Sequence, residues 1–157
     1  MATESDASPS TVPGGALAAP SSRPRLRLAG ASPGWPGEIG PLYELELPHL
    51  PGTWRRALQL ELRHADADGL VSSAVLLAFL DQVLLRLIDV NVRSDQHALL
   101  LQLSTQHVGT TRPQRWLYGE ALLLKQTRHL LFATAELFDD QQQLVLASAT
   151  WRLAPRG

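Results

Sequence analysis

The sequence predicts an α+β fold in which an antiparallel β-sheet wraps around one long buried helix. Several segments alternate apolar and polar residues with the period of two that is typical of half-buried strands. One stretch, residues 72–88, is instead apolar around most of a helical cylinder, so a helix there must be buried on nearly all sides. Strands are predicted before and after this stretch, and an antiparallel sheet with one helix against its concave face satisfies both patterns.

The composition is that of an ordinary globular domain. The chain has 157 residues, 45% of them hydrophobic, and a formal net charge of -1, which disfavours a nucleic-acid binder because such proteins need a concentrated basic surface. The absence of cysteine excludes disulfides, thiolate nucleophiles and Cys-ligated metals. The longest apolar run, Ala74–Leu80, is far shorter than the roughly 20 residues of a membrane span. No secretory or transit signal is evident at the N-terminus, so we expect a cytoplasmic protein that does not bind membranes.

Residues 1–40 differ from the rest of the chain. They hold 12 of the 22 Gly and Pro residues and show almost no periodic apolar pattern. Because such a segment cannot bury enough apolar surface to offset its ordering entropy, we expect a disordered tail over 1–40 and a single domain over 41–157.

Each element of the domain has a local signal. Leu42–Leu47 is predicted to be a short strand, and Ala57–Arg63 a half-buried one because its leucines alternate with polar residues. The helix is predicted over Ser72–Ile88, with Ser72 or Ser73 as its N-cap. The remaining predicted strands are Ala98–Val108, Arg115–Thr127, Leu130–Phe138 and Leu144–Leu153, with hairpin turns at 127–129 and 139–142.

Asp81 interrupts the predicted helix at an unusual place. At 100° per residue it lies about 100° from the polar stripe of Gln82, Arg86 and Asp89, in line with apolar residues. An unpaired carboxylate there costs several kcal/mol unless something compensates, and burial would raise its pKa toward the range of a general base. The alternative is a half-solvated position at the edge of the polar stripe.

A second candidate cluster lies between the second strand and the helix. Asp66 and Asp68 precede a helix start, whose free backbone N–H groups could hold an oxyanion. The alternative, which the pattern favours, is that the two carboxylates shape the turn and favour the helix dipole. We interpret His64 as a surface loop residue and His107 as a packed strand residue. The histidines show no metal-ligand spacing, so we expect no metal.

These residues resemble the hot-dog acyl-CoA thioesterases. Asp66-Ala67-Asp68-Gly69-Leu70-Val71 is similar to the 4-hydroxybenzoyl-CoA thioesterase type, and Asp81 follows Gly69 by the twelve residues that separate Gly and acid there and in the phenylacetyl-CoA type. Leu76–Asp81 and Val145–Ser148 resemble the medium-chain acyl-CoA thioesterase II type. The resemblance covers about residues 42–155.

The resemblance implies a hot-dog fold and roles for particular residues. It implies Asp81 and Asp66 as catalytic acids, and the backbone at Ser72, Ser73 and Ala74 as the group that polarises the thioester carbonyl. Gly69 and Ser104 are implied as further substrate-binding positions. Two departures are the replacement of His-Gly-Gly by Ser72-Ser73-Ala74, and Trp151 at about the place of the thioesterase II glutamine.

The sequence therefore predicts a thioesterase acting on an acyl-CoA or related acyl thioester, without cofactor. The resemblance also implies a homodimer or homotetramer with the site at the subunit interface. The first alternative is a hot-dog domain that binds acyl thioesters without hydrolysing them, as a sensor. A hydratase or dehydratase is disfavoured because no His occupies the loop-to-helix junction.

Overall fold

A computed structural model describes residues 26–29, 38–47 and 54–157. Within them the chain forms seven strands and one α-helix: β1 Leu26–Leu28, β2 Leu42–Glu46, β3 Trp54–Gln59, α1 Ser73–Asn91, β4 Gln96–His107, β5 Trp116–Gln126, β6 Leu130–Phe138 and β7 Gln143–Pro155. The strands pair antiparallel in one sheet of order β1-β2-β3-β5-β6-β7-β4. The predicted arrangement of one long helix against an antiparallel sheet is confirmed.

The second predicted strand ends earlier than the sequence indicates. The alternation of leucines runs on to Leu62, but β3 stops at Gln59 and a 3₁₀ turn covers Leu62–His64. The last bonds to the neighbouring strand region are made by the Leu60 N–H to the Arg115 carbonyl, at 2.8 Å, and by the Leu60 carbonyl, which accepts from the Gln114 N–H at 2.7 Å. Beyond them Leu62 turns out into solvent, so the apolar alternation outlasts the strand.

Part of the predicted tail belongs to the sheet. Leu26–Leu28 pairs antiparallel with β2 as its edge strand, although both leucines are exposed. Backbone pairing and the ion pair of Arg27 with Glu44 hold this strand, which is why the apolar pattern did not indicate it. The other residues of the predicted tail, apart from 29 and 38–40, lie outside the described part of the chain, and the tail prediction for them stays a prediction.

Helix α1 packs across the concave side of β5 and β6. Its buried residues join the strands in one core: Leu76, Phe79, Leu80, Val83, Leu84 and Leu87. Gly119 on β5 allows the close approach, because a Cβ there would lie 2.4 Å from Val83 Cγ2 and 2.9 Å from Leu137 Cδ2. The contact of Val83 with Gly119 therefore sets how closely the helix approaches the sheet.

One face of α1 stays exposed, contrary to the prediction of burial on nearly all sides. This face carries Ala74, Leu77, Asp81 and Leu85. Gln82, assigned by the sequence to an outward polar stripe, is only 3% exposed. When a helix is apolar almost all round, its pattern does not say which apolar side meets the sheet, and here the side next to Asp81 was left uncovered.

The last strand in the sheet order, β4, forms an edge of the sheet within the described part of the chain. β4 pairs with β7 on one side, and a bulge at Leu101 shifts the register between Leu100 and Gln102. Several of its large apolar side chains are exposed, namely Leu99, Leu100, Leu101 and Leu103. A long apolar edge strand is a template for pairing with another chain.

Candidate functional site

The loop before α1 is organised by Asp66. Its Oδ1 accepts the backbone N–H groups of Asp68, at 2.9 Å, and Leu70, at 3.1 Å. Gly69 closes the turn with a φ of +73°, in the left-handed region that favours glycine, and donates its N–H to the Asp66 carbonyl at 3.1 Å. One carboxylate oxygen of Asp66 thus shapes the turn, as the alternative interpretation expected. The Asp66 side chain is nevertheless exposed, so substrate can reach it.

The start of α1 presents free backbone donors. Ser72 is the N-cap, as predicted, and its Oγ accepts the N–H of Val75 at 3.4 Å. The N–H of Ser72 itself is bound to the His64 carbonyl at 3.0 Å. The N–H groups of Ser73 and Ala74 have no acceptor among the described residues, and both residues are exposed. Such groups at the positive end of a helix can hold a developing oxyanion.

Asp81 lies on the same side of the helix as those donors. It follows Ala74 by seven residues, which places it two turns on and about 10 Å further along the axis. Its Oδ2 accepts from Gln82 Nε2 at 3.3 Å. Burial by neighbouring protein atoms raises the pKa of the Asp81 carboxyl above its ordinary value, and the Gln82 hydrogen bond opposes this only in part. The residue is nevertheless exposed in the single chain, so its loss of water is only partial.

Ser104 lies on the other face of the sheet. Its cross-strand partner is Ser148, which is exposed, whereas its neighbour Thr105 pairs with Ala147 of the core. Cross-strand partners share a face, so Ser104 points away from the helix and the structure does not bring it together with Asp81. Thr105 and, nearer the strand end, His107 occupy the helix side instead. The prediction that His107 is packed is wrong, since the residue is exposed.

His64 is buried, so the interpretation of this residue as a surface one is wrong. It is 4% exposed, and its Nδ1 accepts the N–H of Glu61 at 2.9 Å, which leaves the hydrogen of the neutral ring on Nε2. That Nε2 is buried without a hydrogen-bond partner in the described structure. Since its carbonyl holds the N–H of Ser72, His64 anchors the loop to the helix start.

The buried carboxylate of Asp139 supports the loop before α1 through Thr111. Asp139 accepts a hydrogen bond of 2.6 Å from Thr111 Oγ1, and the Thr111 carbonyl accepts the N–H of Val71 at 2.9 Å. Burial raises the pKa of Asp139, but hydrogen bonds from Thr111, the backbone N–H groups of residues 141 and 142, and Arg115 outweigh it and leave the pKa below its ordinary value. The sequence indicated only a turn here, because the partners are far apart along the chain.

The described residues contain no group of three or more metal-binding side chains that could hold an ion. No helix among them is both long enough and apolar enough to cross a membrane.

Comparisons with known proteins identify the family of the chain. The family model of the thioesterase superfamily matches residues 68–146, which include Asp81 and the helix start. No curated protein matches the sequence.

Solved structures of thioesterases resemble the fold. Thioesterase superfamily member 2 of zebra fish is 19% identical, with a TM-score of 0.66 over 78% of this chain and 88% of that one. A mutant of the phenylacetic acid degradation protein PaaI from Thermus thermophilus is 19% identical, with a TM-score of 0.60 over 73% and 94%. A hypothetical thioesterase from Streptococcus pneumoniae, in a structure with coenzyme A, is 12% identical, with a TM-score of 0.58 over 66% and 79%. The predicted hot-dog fold is confirmed by these likenesses.

Proposed function

Because the chain belongs to the thioesterase superfamily, we propose that it hydrolyses an acyl-CoA or a related acyl thioester. The observation that carries this proposal is the helix face that holds both an acid of raised pKa, Asp81, and the free N–H groups of Ser73 and Ala74. The S. pneumoniae relative with coenzyme A and one from Streptococcus mutans bound to acetyl-CoA support the substrate class.

In the proposed reaction, the Ser73 and Ala74 N–H groups hold the thioester carbonyl oxygen. Ionised Asp81 takes a proton from a water molecule that attacks the carbonyl carbon, or attacks that carbon itself. The N–H groups stabilise the negative charge on the oxygen of the tetrahedral intermediate. The intermediate collapses with release of the carboxylic acid and the thiolate, and the thiolate takes the proton that Asp81 received from water. If Asp81 attacks the carbon itself, the thiolate leaves an acyl–Asp81 anhydride, which a water molecule hydrolyses to restore Asp81 and to supply the proton of the thiol.

Asp66 and Gly69 complete the donor side of the proposed site. Asp66 keeps the turn in place through Oδ1, and its exposed carboxylate stands beside the path to the helix start as the second proposed catalytic acid. The left-handed backbone of Gly69 permits this turn. Ser104 has no part in the proposal, because it lies on the opposite face of the sheet.

We further propose that the site is completed in a homodimer. Leu77 and Leu85 flank Asp81 on an exposed apolar helix face, and one edge of the 12-residue strand β4 pairs with no other strand of the described residues. Antiparallel pairing of two β4 strands would continue the sheet, satisfy the edge and cover this helix face. Asp81 would then lie at the interface, where the loss of water favours its role as a base.

A second candidate function is binding without hydrolysis. Ser73 and Ala74 stand where related sequences of the phenylacetyl-CoA type have Gly-Gly, and their Cβ atoms restrict the approach of a substrate to the backbone. This feature favours a sensor of acyl thioesters.

The experiment is release of free thiol from a panel of acyl-CoAs by the purified protein, with Asp81→Asn and Asp66→Asn. Asp95→Asn is the matched control, since Asp95 is an exposed acid paired with Arg93. We expect Asp81→Asn to lower kcat by about 100-fold or more and the control to match the natural sequence. Tight acyl-CoA binding with no thiol release in any variant would establish the sensor instead.

A further inference from the structure

A cluster of charged side chains lies on the flank of α1 away from Asp81. Glu44 on β2 is buried, accepts a hydrogen bond from Arg27 Nε on β1 at 2.8 Å, and forms an ion pair with Arg86 on α1, whose Nε lies 2.9 Å from Glu44 Oε1. Arg56 on β3 is the third guanidinium, and its Nε lies 3.8 Å from Glu44 Oε1. Arg86 follows Asp81 by five residues, about 140° around the helix, so this arginine cluster (Arg27, Arg56, Arg86 and Glu44) is separate from the proposed thioester site.

Arg56 shares its one buried acidic neighbour, Glu44, with two other arginines. Three guanidinium groups face one buried carboxylate, and Asp89, the next acid that acts on Arg56, is exposed. Arg56 is only 8% exposed, and both its Nε and Nη1 are buried without a hydrogen-bond partner in the described structure. Buried donors on a charged group are rarely left unsatisfied, because each forfeits its bonds to water.

The charges around Arg56 add to this lack of hydrogen-bond partners. Burial lowers the pKa of Arg56, Glu44 opposes the shift, and the like charges of Arg86 and Arg27 add to it. The segments next to these strands, residues 30–37 and 48–53, contain no Asp or Glu. Beyond the described residues, the acids of the chain are Glu4 and Asp6 alone. The neighbouring segments of the sequence therefore supply no carboxylate for Arg56 beyond Glu44 and Asp89.

We propose that the arginine cluster binds the oxyanion group, phosphate or carboxylate, of a ligand. Arg56 donates to it from below, while Arg27 and Arg86, which are 53% and 33% exposed, line the solvent side and approach the anion from above. Guanidinium groups suit this role because they stay charged and present several donors in one plane. Glu44 contacts Arg27 and Arg86 closely and Arg56 only at 3.8 Å, so that Arg56 Nε and Nη1 keep their hydrogen-bond capacity for the anion. This proposal goes beyond thioester hydrolysis and does not depend on it.

The test is thermal unfolding and calorimetric titration of the full chain with inorganic phosphate and with acetate, at constant ionic strength set by chloride. At about ten times the dissociation constant, the better of the two anions should raise Tm by about 3–6 °C. Arg56→Gln should weaken its binding by about tenfold or more. Arg86→Gln, at a partly exposed position, tests the same site if Arg56→Gln does not fold. Arg93→Gln is the control, since Arg93 is an exposed arginine paired with Asp95.

A larger effect of phosphate assigns the site to a phosphorylated ligand, and a larger effect of acetate to a carboxylate. The proposal is overturned if neither anion binds the natural chain, or if the arginine-cluster variants bind as tightly as Arg93→Gln. It is also overturned if phosphate or acetate binds only to a Glu4→Gln/Asp6→Asn variant, because the chain's own acids would then fill the cluster.

Discussion

Gly119→Ala tests how α1 sits on the sheet. The added Cβ would lie 2.4 Å from Val83 Cγ2, 2.9 Å from Leu137 Cδ2 and 3.2 Å from Phe79 Cε1. All three side chains are buried, so they have little room to move. Overpacking of this kind costs about 1–3 kcal/mol, and the lower entropy of the unfolded alanine chain offsets about 0.4–1 kcal/mol. The net loss is about 1–2 kcal/mol, or a Tm lower by about 2–8 °C for a domain of this size.

The assay is urea or thermal unfolding of Gly119→Ala, Val83→Ala and the double variant. Val83→Ala removes the nearest methyl group. The double variant should therefore lose about 1 kcal/mol less free energy of unfolding than the two single variants lose together. Gly157→Ala is the control, since no atom lies within 4 Å of the Cβ it would add. Additive losses, or a Gly119→Ala protein as stable as the control, would refute the close packing of α1 on β5.

Three further predictions concern the support of the site, the dimer and pH. Asp139→Asn should destabilise the protein by about 1–3 kcal/mol at pH 7, because Thr111 and the turn lose a charged acceptor; equal stability in urea would contradict this. The folded-state pKa of Asp139 is lowered, so the stability that this carboxylate contributes is present at neutral pH, above its unfolded pKa, and is lost as the pH falls through the folded value. The loss of stability in Asp139→Asn, relative to the natural sequence, should therefore shrink in acid. A loss that does not change with pH would argue against this role of Asp139. Leu101→Lys on the β4 edge should convert a dimer to a monomer in sedimentation, whereas Leu62→Lys, at an exposed leucine in the 3₁₀ turn, should not; a dimer in both would place the interface elsewhere.

Local patterns in the sequence were enough for the elements of the fold. β6 matches its predicted range, and α1 begins after the predicted cap at Ser72. These elements form because their apolar periodicity agrees with the tertiary structure. β1 carries no such periodicity, and it is held by pairing with β2 and by Arg27.

The resemblance implied Ser104 as a substrate-binding position, and the bulge in β4 decides which face of the sheet carries this residue. Counting by twos from Ala98, on the core side, would put Ser104 on the helix face. The extra residue at Leu101 reverses the parity, so that Leu103 and Thr105 face the helix. A bulge leaves no clear mark in the alternation of residues. The alternation that places Leu103 and Thr105 on one face after Leu101 was the one signal in the sequence that could have identified the bulge.

Asp81 illustrates what a helical wheel can and cannot predict. The wheel correctly separates Asp81 from the side that carries Gln82 and Arg86. It does not reveal that Gln82 turns inward while the Asp81 face stays uncovered in the single chain. That choice depends on how Val83 and Phe79 fit over Gly119, which is a property of two distant segments together.

The pH dependence of acyl-CoA hydrolysis tests the central claim most directly. If Asp81 is the base, kcat/KM should fall as the pH drops through a pKa raised above the ordinary range of aspartate, because only the ionised carboxylate accepts a proton. Asp81→Asn should abolish this acid limb of the pH profile and reduce the rate by about 100-fold or more. Asp95→Asn should keep both the acid limb and the rate of the natural sequence. Thiol release by Asp81→Asn at the natural rate, with the same acid limb, would contradict the assignment of Asp81 as the catalytic base.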